Sequence, residues 1–230
     1  MDCWGSCANA AIMWQCLPVP AFGSHKSERV RVATVGLNPS ATEFSSDIGE
    51  WKPATERLPL VTDFGVRERD RLSAVDVKRA VKQRAEYFRR AHHPFFDSLQ
   101  GLLSAVNTEW NYELGTAVHV DLVACGTWRA WSELSERTTD TLVGNCQKHL
   151  IQTLTELPDE ALLLLDGRTV NTALAVNFGS GERIEEHVGN VTVWRGTLQI
   201  DGRCFKYAGW SRPVNYLANW FALVGWLRRE

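Results

Sequence analysis

The polar side chains best suited to chemistry in this sequence stand at or near the ends of apolar runs. Asn38 follows the β-branched run 30–36, and Asp121 lies inside the apolar run 117–125. Near-continuous apolar runs are typical of strands in a parallel sheet covered on both faces, and ligands bind beyond the carboxyl ends of such strands. An asparagine amide both donates and accepts hydrogen bonds, whereas an ionised aspartate only accepts. Asn38 can therefore orient a water molecule, and Asp121 can read a donor group.

The loop that contains Asn38 reads Gly-Leu-Asn-Pro-Ser at residues 36–40. Its glycine permits close backbone approach and its proline stiffens the turn. The segment resembles motif 1 of the uracil-DNA glycosylase superfamily, in which two branches have Gly-(Ile/Met)-Asn-Pro-Gly. The resemblance implies that Asn38 positions the attacking water. It also assigns Leu37 and Ser40 to the base pocket, with loop amides near Ser40 facing a carbonyl of the base. A capping asparagine in an ordinary turn is the structural alternative.

A Pro-Phe step follows at residues 94–95, with Gly-Leu-Leu at 101–103, and apolar spacing predicts a helix from Pro94 onward. The same superfamily has a Pro-Phe step whose aromatic ring stacks on the extruded base. We therefore assign Phe95 to stacking and Phe96 to the core, although either ring could be buried.

The segment 119–125 resembles the superfamily strand Thr-Asn-Val-Val-Lys-Cys, in which the Asn reads the edge of the base. Here Asp121 replaces that Asn. An acceptor suits the exocyclic amine of cytosine better than the imide of uracil. Asp121 therefore predicts a cytosine-like base. The alternatives are that it caps a loop or pairs with Arg129, and we interpret His119 as a structural histidine.

Residues 209–215 read Gly-Trp-Ser-Arg-Pro-Val-Asn, where most members of the superfamily have a His-Pro-Ser motif 2. The histidine that can stabilise the leaving base is therefore missing. Ser211 and Arg212 are candidates for gripping phosphate, and Trp210 or Arg212 for filling the space that a flipped nucleotide vacates. An ordinary polar loop is the alternative.

Six cysteines are spread over the chain, which is unlike a secreted disulfide scaffold. Thermophilic branches of the superfamily bind an iron–sulfur cluster through four cysteines, which Cys3, Cys7, Cys125 and Cys146 resemble. The spacing of the first pair differs, and Cys16 competes as a ligand. Four thiolates also suit zinc. Buried thiols without metal are the favoured interpretation, so no cofactor is predicted.

The chain has 230 residues, 44% hydrophobic content and a formal net charge of −2, which predicts one domain with one substantial core. We expect a three-layer α/β/α sandwich around a mainly parallel sheet, with residues 44–91 as an insertion over the site mouth. Within that insertion, the spacing of Val75, Val81 and Phe88 predicts a helix. Residues 67–90 hold nine basic and four acidic side chains, a candidate phosphate-facing surface or a solvated helix face. A cytoplasmic location is expected, because no apolar run is long enough for a membrane span. We also expect a monomer.

These features together predict a hydrolase that excises a base from DNA. The small residues Ser40 and Ala41 leave room where the fast uracil-specific branch has a tyrosine. With Asp121, this predicts a DNA glycosylase for a flipped-out 5-modified cytosine, a kind of base found in phage genomes, and hence an antiviral defence role. The alternatives are a repair glycosylase for uracil or another deaminated base, and a DNA-binding protein of the same fold without catalytic activity.

Overall fold

The computed structural model of the protein describes residues 11–45, 50–54, 56–68, 71–89, 93–213 and 220–229. The strands in these residues are β1 (Ala21–Phe22), β2 (Val32–Gly36), β3 (Ala117–Asp121), β4 (Leu162–Asp166), β5 (Gly179–Val188), β6 (Val191–Ile200) and β7 (Arg203–Trp210). The α-helices are α1 (Ala74–Ala85), α2 (Pro94–Val106), α3 (Glu136–Thr155), α4 (Arg168–Phe178) and α5 (Phe221–Leu227). None of these helices is both long and apolar enough to cross a membrane.

All seven strands form one mixed sheet in the order β1-β3-β2-β4-β7-β6-β5. The four middle strands, β3, β2, β4 and β7, run parallel to one another, while β1, β6 and β5 add antiparallel pairs at the edges. The predicted α/β class is confirmed. Because β2, β3 and β4 are parallel, their carboxyl ends meet at one edge of the sheet, where ligands bind in such folds.

Helices cover both faces of the sheet. On one face, α2 and α5 pack with Val32, Leu164 and Ala208. On the other, α3 and α4 pack with Ala33 and Leu165. Successive strand residues point to opposite faces, so Val32 and Ala33 enter different cores. This arrangement explains why β2 and β4 read as continuous apolar runs.

The last three strands form a meander. Asp201 and Gly202 both adopt positive φ, 48° and 80°, which turns β6 tightly into β7. β6 and β7 thus form an antiparallel hairpin. β5 is an edge strand, largely exposed, whose register with β6 is irregular between Ser180 and Ile184.

The described part of segment 44–91 packs against the rest of the chain. Leu58, Leu60 and Phe88 belong to the same core as α2. Helix α1 is mostly exposed, and Val75 and Val81 are 73% and 52% accessible. Their spacing correctly predicted a helix, but neither side chain faces a core.

Candidate active site

A cavity of about 380 Å³ opens at the carboxyl edge of the parallel strands. Its wall includes the loop after β2, the end of β3, the start of α2 and residues 127–131. The register places Gly36 beside Asp121, so the two candidate motifs meet directly. Asn38, Phe95 and Asp121, which are far apart in sequence, all line this one cavity.

Asn38 is half-buried and held in one orientation by two hydrogen bonds. Its Nδ2 donates to the Pro39 carbonyl at 3.0 Å and to Thr127 Oγ1 at 3.1 Å. The Thr127 hydroxyl in turn donates to the Arg129 carbonyl at 2.8 Å. Because the Pro39 carbonyl can only accept, the Asn38 amide nitrogen must face it. The side-chain oxygen of Asn38 is then the atom left to accept a hydrogen bond from water.

Helix α2 brings Phe95 to the cavity and Phe96 to the core. Phe96 is 2% exposed and contacts Phe22 and His119, which confirms its predicted burial. Phe95 is half-buried and lines the cavity. The helix begins at Pro94, and the His93 side chain caps it by accepting from the Phe95 N–H at 3.1 Å.

Asp121 is buried at the end of β3, and only one of its carboxylate oxygens is engaged. Oδ1 lies 3.2 Å from His119 Nε2. Oδ2 has no hydrogen-bond partner among the described residues, and the side chain lines the cavity. The partner of Asp121 is therefore His119 rather than Arg129. Burial raises the pKa of Asp121 above its ordinary value, while the hydrogen bond and charge of His119 act in the opposite direction.

A hydrogen-bonded chain behind Asp121 continues from His119 into the core. His119 Nδ1 lies 2.8 Å from Thr34 Oγ1, which lies 2.6 Å from the Tyr112 hydroxyl and 3.3 Å from the Val118 carbonyl. His119 is thus held by specific partners, as its structural interpretation predicted.

Two arrangements of the protons satisfy every donor of this hydrogen-bonded chain and leave Asp121 Oδ2 as an acceptor. With Asp121 ionised, Thr34 donates to His119 Nδ1, and Nε2–H donates to Oδ1. With a proton on Oδ1, that proton is donated to Nε2, Nδ1–H donates to Thr34, and Thr34 donates to the Val118 carbonyl. In both arrangements Oδ2 remains an acceptor without a partner among the described residues.

This series of hydrogen bonds requires glycine at position 36. A Cβ atom at residue 36 would stand 2.7 Å from His119 Nε2 and 3.2 Å from Asp121 Oδ1. The glycine of the motif thus leaves room for the histidine that holds Asp121.

Leu37 and Ser40 both line the cavity, in different ways. Leu37 is half-buried and also packs against the core on the α3 and α4 face. Ser40 is exposed, and its hydroxyl accepts from the Thr42 N–H at 3.3 Å, which caps a short 3₁₀ helix, Ala41–Glu43. The Ser40 side chain is therefore engaged at the mouth of the cavity.

A second buried acid, Glu43, lines the same cavity and was not singled out from the sequence. It ends the Ala41–Glu43 turn, is 6% exposed, and accepts a hydrogen bond from the Tyr87 hydroxyl at Oε2. Burial raises the pKa of Glu43 to about 7, and the charge of Asp121 also raises it. The Ser-x-x-Glu spacing of residues 40–43 is typical of a capping box, which would have placed the carboxylate on its own helix. Its actual partner lies 44 residues away, so no local signal identifies it.

The segment around Trp210 departs from the prediction. Trp210 is fully buried in β7, and its indole N–H donates to Asp166 Oδ1 at 2.6 Å. The prediction that it fills the space left by a flipped nucleotide is therefore wrong, because the ring belongs to the core. Ser211 Oγ accepts from the Thr192 N–H at 3.0 Å, so it fixes β6 to this segment. Arg212 is exposed and remains a candidate for phosphate contact.

The cysteine prediction is tested only in part. Cys125 and Cys146 are buried in one small apolar cluster with Ile12 and Leu142. Cys3 and Cys7 lie outside the described residues. Within the described ranges, no group of three or more potential metal-ligating side chains is present.

The predicted insertion and its basic residues stand at the margin of the site. No described residue of 44–91 lines the cavity, but Tyr87 donates a hydrogen bond to cavity-lining Glu43, and the Trp51 ring lies 5.7 Å from that of cavity-lining Trp128. Two of the basic side chains are engaged in the fold. Arg84 donates to the Pro18 carbonyl at 2.5 Å, and Arg79 stacks over Phe64.

Comparison with protein-family models and with curated proteins found no match to this chain. The resemblance to the uracil-DNA glycosylase superfamily therefore rests on the sequence of residues 36–40, 94–103 and 119–125.

Proposed function

We propose that the protein is a DNA glycosylase of the uracil-DNA glycosylase superfamily, with the corresponding three-layer fold. Its substrate is a flipped-out, 5-modified cytosine, whose N-glycosidic bond it hydrolyses to leave an abasic site. One observation supports this most directly. Asn38, Phe95 and Asp121 line one cavity at the carboxyl edge of the sheet, and the buried Oδ2 of Asp121 has no hydrogen-bond partner among the described residues.

Hydrolysis of an N-glycosidic bond makes the sugar cationic and the base anionic, so the enzyme must position water and stabilise both charges. Asn38 is suited to the water, because Thr127 and Pro39 fix its amide and leave its oxygen as an acceptor. Phe95 is suited to stacking on the base, since its ring forms part of the wall.

The choice of cytosine follows from the direction of the hydrogen bond at Asp121. Its Oδ2 accepts in both proton arrangements of the chain through His119 and Thr34. An acceptor pairs with the 4-amino group of cytosine and opposes the 4-carbonyl of uracil. The small side chain of Ala41, which also lines the cavity, supports room for a substituent on the ring.

Base release from matched DNAs tests the proposal. Duplexes and single strands carrying uracil, cytosine, hydroxymethylcytosine or glucosylated hydroxymethylcytosine are incubated with the protein. The released base is measured by mass spectrometry, and abasic sites by alkaline strand scission. Release confined to a modified cytosine is expected.

Two variants complete the experiment. Asn38→Ala should abolish release, and Asn177→Ala, the same change at an exposed position in α4, should leave it intact. Release of uracil alone would retain a glycosylase and refute the cytosine assignment. DNA binding without release of any base would favour the non-catalytic alternative.

A further inference from the structure

Glu43 is an acid in the cavity wall to which the proposed function gives no role. Its Oε2 accepts from the Tyr87 hydroxyl, and the Tyr87 oxygen accepts from the His93 N–H at 3.1 Å. No other described side chain forms a hydrogen bond with this carboxyl group, which leaves Oε1 for a ligand. A buried carboxyl group is costly unless it is neutral or well partnered. A role in binding or catalysis explains the presence of a carboxyl group at this buried position.

The burial of the cavity residues indicates which part of a nucleotide Glu43 faces. Ser40 is exposed and Asn38 is half-buried, whereas Glu43 and Asp121 are only 6% and 4% exposed. A flipped nucleotide enters with its base first, while the sugar stays attached to the DNA backbone at the mouth. The two buried carboxyl groups thus face the base, and Asn38 faces the region of the sugar.

Cytosine makes a particular demand on the buried end of the cavity. Without a proton, it leaves as an anion, and this anion is more basic than that of uracil. The motif 2 histidine that could stabilise the leaving base is missing from residues 209–215. We propose that Glu43 is the general acid that protonates the cytosine base as it leaves, an inference that rests on the proposed function.

In this step the bond between C1′ of the sugar and N1 of the base breaks, and its electron pair goes to the base. The proton on Glu43 Oε1 moves to O2 or N3 of the base, which departs neutral. Water held by Asn38 adds to C1′ and releases one proton to solvent, and a proton from solvent restores Glu43. After Glu43 gives up its proton and before the proton is restored, its carboxylate is stabilised by the hydrogen bond from the Tyr87 hydroxyl.

The surroundings of Glu43 keep a proton available at neutral pH. Burial, and secondarily the charge of Asp121, raise the pKa of Glu43 to about 7, against the opposing effects of the Tyr87 hydrogen bond and of Lys52. A general acid works best when its pKa lies near the working pH. Other titratable or charged side chains in the cavity wall are His93, His119, Arg129 and Asp166.

Glu43→Gln is the central test, since glutamine keeps the acceptor for Tyr87 but cannot transfer a proton. Single-turnover release is compared on DNA with hydroxymethylcytosine and with hydroxymethyluracil, which carry the same substituent. We expect a loss of about 10²-fold or more on the cytosine substrate and a much smaller loss on the uracil substrate, if the latter is cleaved. Glu160→Gln, at an exposed position, is the matched control.

The pH profile provides a readout that a structural role would not change. Wild-type release should fall as the pH rises through 7, and the Glu43→Gln profile should be flat there. Tyr87→Phe removes a hydrogen bond that lowers the pKa of Glu43, so its profile should fall at a higher pH. This second variant keeps the test valid if Glu43→Gln does not fold.

Three results would overturn the inference: wild-type rates in Glu43→Gln, an equal loss on both bases, or an unshifted profile in Tyr87→Phe. Failure of the wild-type protein to release any base is a different result, because it refutes the proposed function itself.

Discussion

The two loops that border the cavity use their side chains in opposite ways. The loop 36–40 turns the Asn38 amide and the Leu37 side chain toward the cavity and keeps its backbone close to His119. The segment 209–213 turns inward. Trp210 is buried, and a Cβ at Gly209 would stand 2.1 Å from the Asn171 side chain.

The segment 209–213, the second of these loops, mainly connects strands of the sheet. The buried Asn171 amide donates to the carbonyls of Leu165, Gly167 and Trp210, which connects the end of β4 to the end of β7. Position beside a site therefore does not make a segment part of its chemistry. The chemical groups of this cavity come from the segment after β2, the end of β3 and the start of α2, whereas the segment 209–213 connects β7 to the end of β4.

The largest expected effect is a loss of stability on changing Trp210 in this segment. Trp210→Ala removes a buried indole and its hydrogen bond to Asp166, so the free energy of unfolding should fall by about 3–5 kcal/mol. Denaturant unfolding measures this change. Trp14→Ala, at a side chain that is 57% exposed, should change it by about 0.5 kcal/mol or less. A loss below about 1 kcal/mol for Trp210→Ala would mean that this loop is free to act at the surface.

Asn38→Ala should affect catalysis and not stability, the reverse of the effect expected for Trp210→Ala. We expect single-turnover base release to fall by about 10²–10³-fold, with unchanged thermal unfolding, because a water-positioning group is lost and the core is not. Thr127→Val removes the acceptor of the Asn38 amide and should reduce release by a smaller factor. A larger loss in Thr127→Val than in Asn38→Ala would contradict the view that Thr127 acts only through Asn38.

Glu43→Gln should separate stability from catalysis through pH. The carboxyl group keeps its proton up to about pH 7 in the folded protein, whereas the unfolded chain loses it near pH 4.5. The wild-type protein should therefore lose stability relative to the variant as the pH rises between these values, by up to about 3 kcal/mol. Chemical denaturation of both proteins from pH 4.5 to 8 measures the difference, and a constant difference would contradict the burial of this charge.

Asp121→Asn should change which base is preferred. Asparagine can donate to the 4-carbonyl of uracil, so the ratio of modified cytosine to uracil release should shift toward uracil by about 1–3 kcal/mol. Competition between the two DNAs in one reaction measures the ratio. Asp140→Asn, at an exposed position, is the control. An unchanged ratio would show that Asp121 does not contact the base.

The smallest effect is expected at Arg212, the exposed side chain of the second loop. Arg212→Ala should weaken DNA binding a few-fold at low salt and reduce the slope of log affinity against log salt by about 1. Arg137→Ala, exposed on α3, should leave the slope unchanged. An unchanged slope for Arg212→Ala would remove the second loop from DNA contact altogether.

Much of the site could be predicted, because strand ends are marked in the sequence. The apolar runs before Asn38 and around Asp121 identify buried parallel strands, and such strands end at one edge. The choice of Phe95 came from the resemblance of the Pro94-Phe95 step to the superfamily, since Pro94 by itself marks only the start of a helix.

What could not be predicted depends on tertiary contacts. The orientation of Trp210 follows from the register of β7, which places it opposite Val193 and beside Asp166. Glu43 accepts its hydrogen bond from Tyr87, which lies 44 residues later in the sequence. The exposure of Val75 and Val81 likewise reflects which neighbours α1 has, since spacing alone cannot show that a helix face is left uncovered.

The two edge strands of the sheet have a consequence for association between copies of the protein. β1 pairs through only two residues, and β5 combines an irregular register with exposed charged side chains such as Glu182 and Glu185. Short edges, irregular pairing and edge charge all hinder the addition of a foreign strand. Both ends of the sheet thus disfavour growth into larger β-structures, and the chain should stay dispersed at the concentrations that activity assays require.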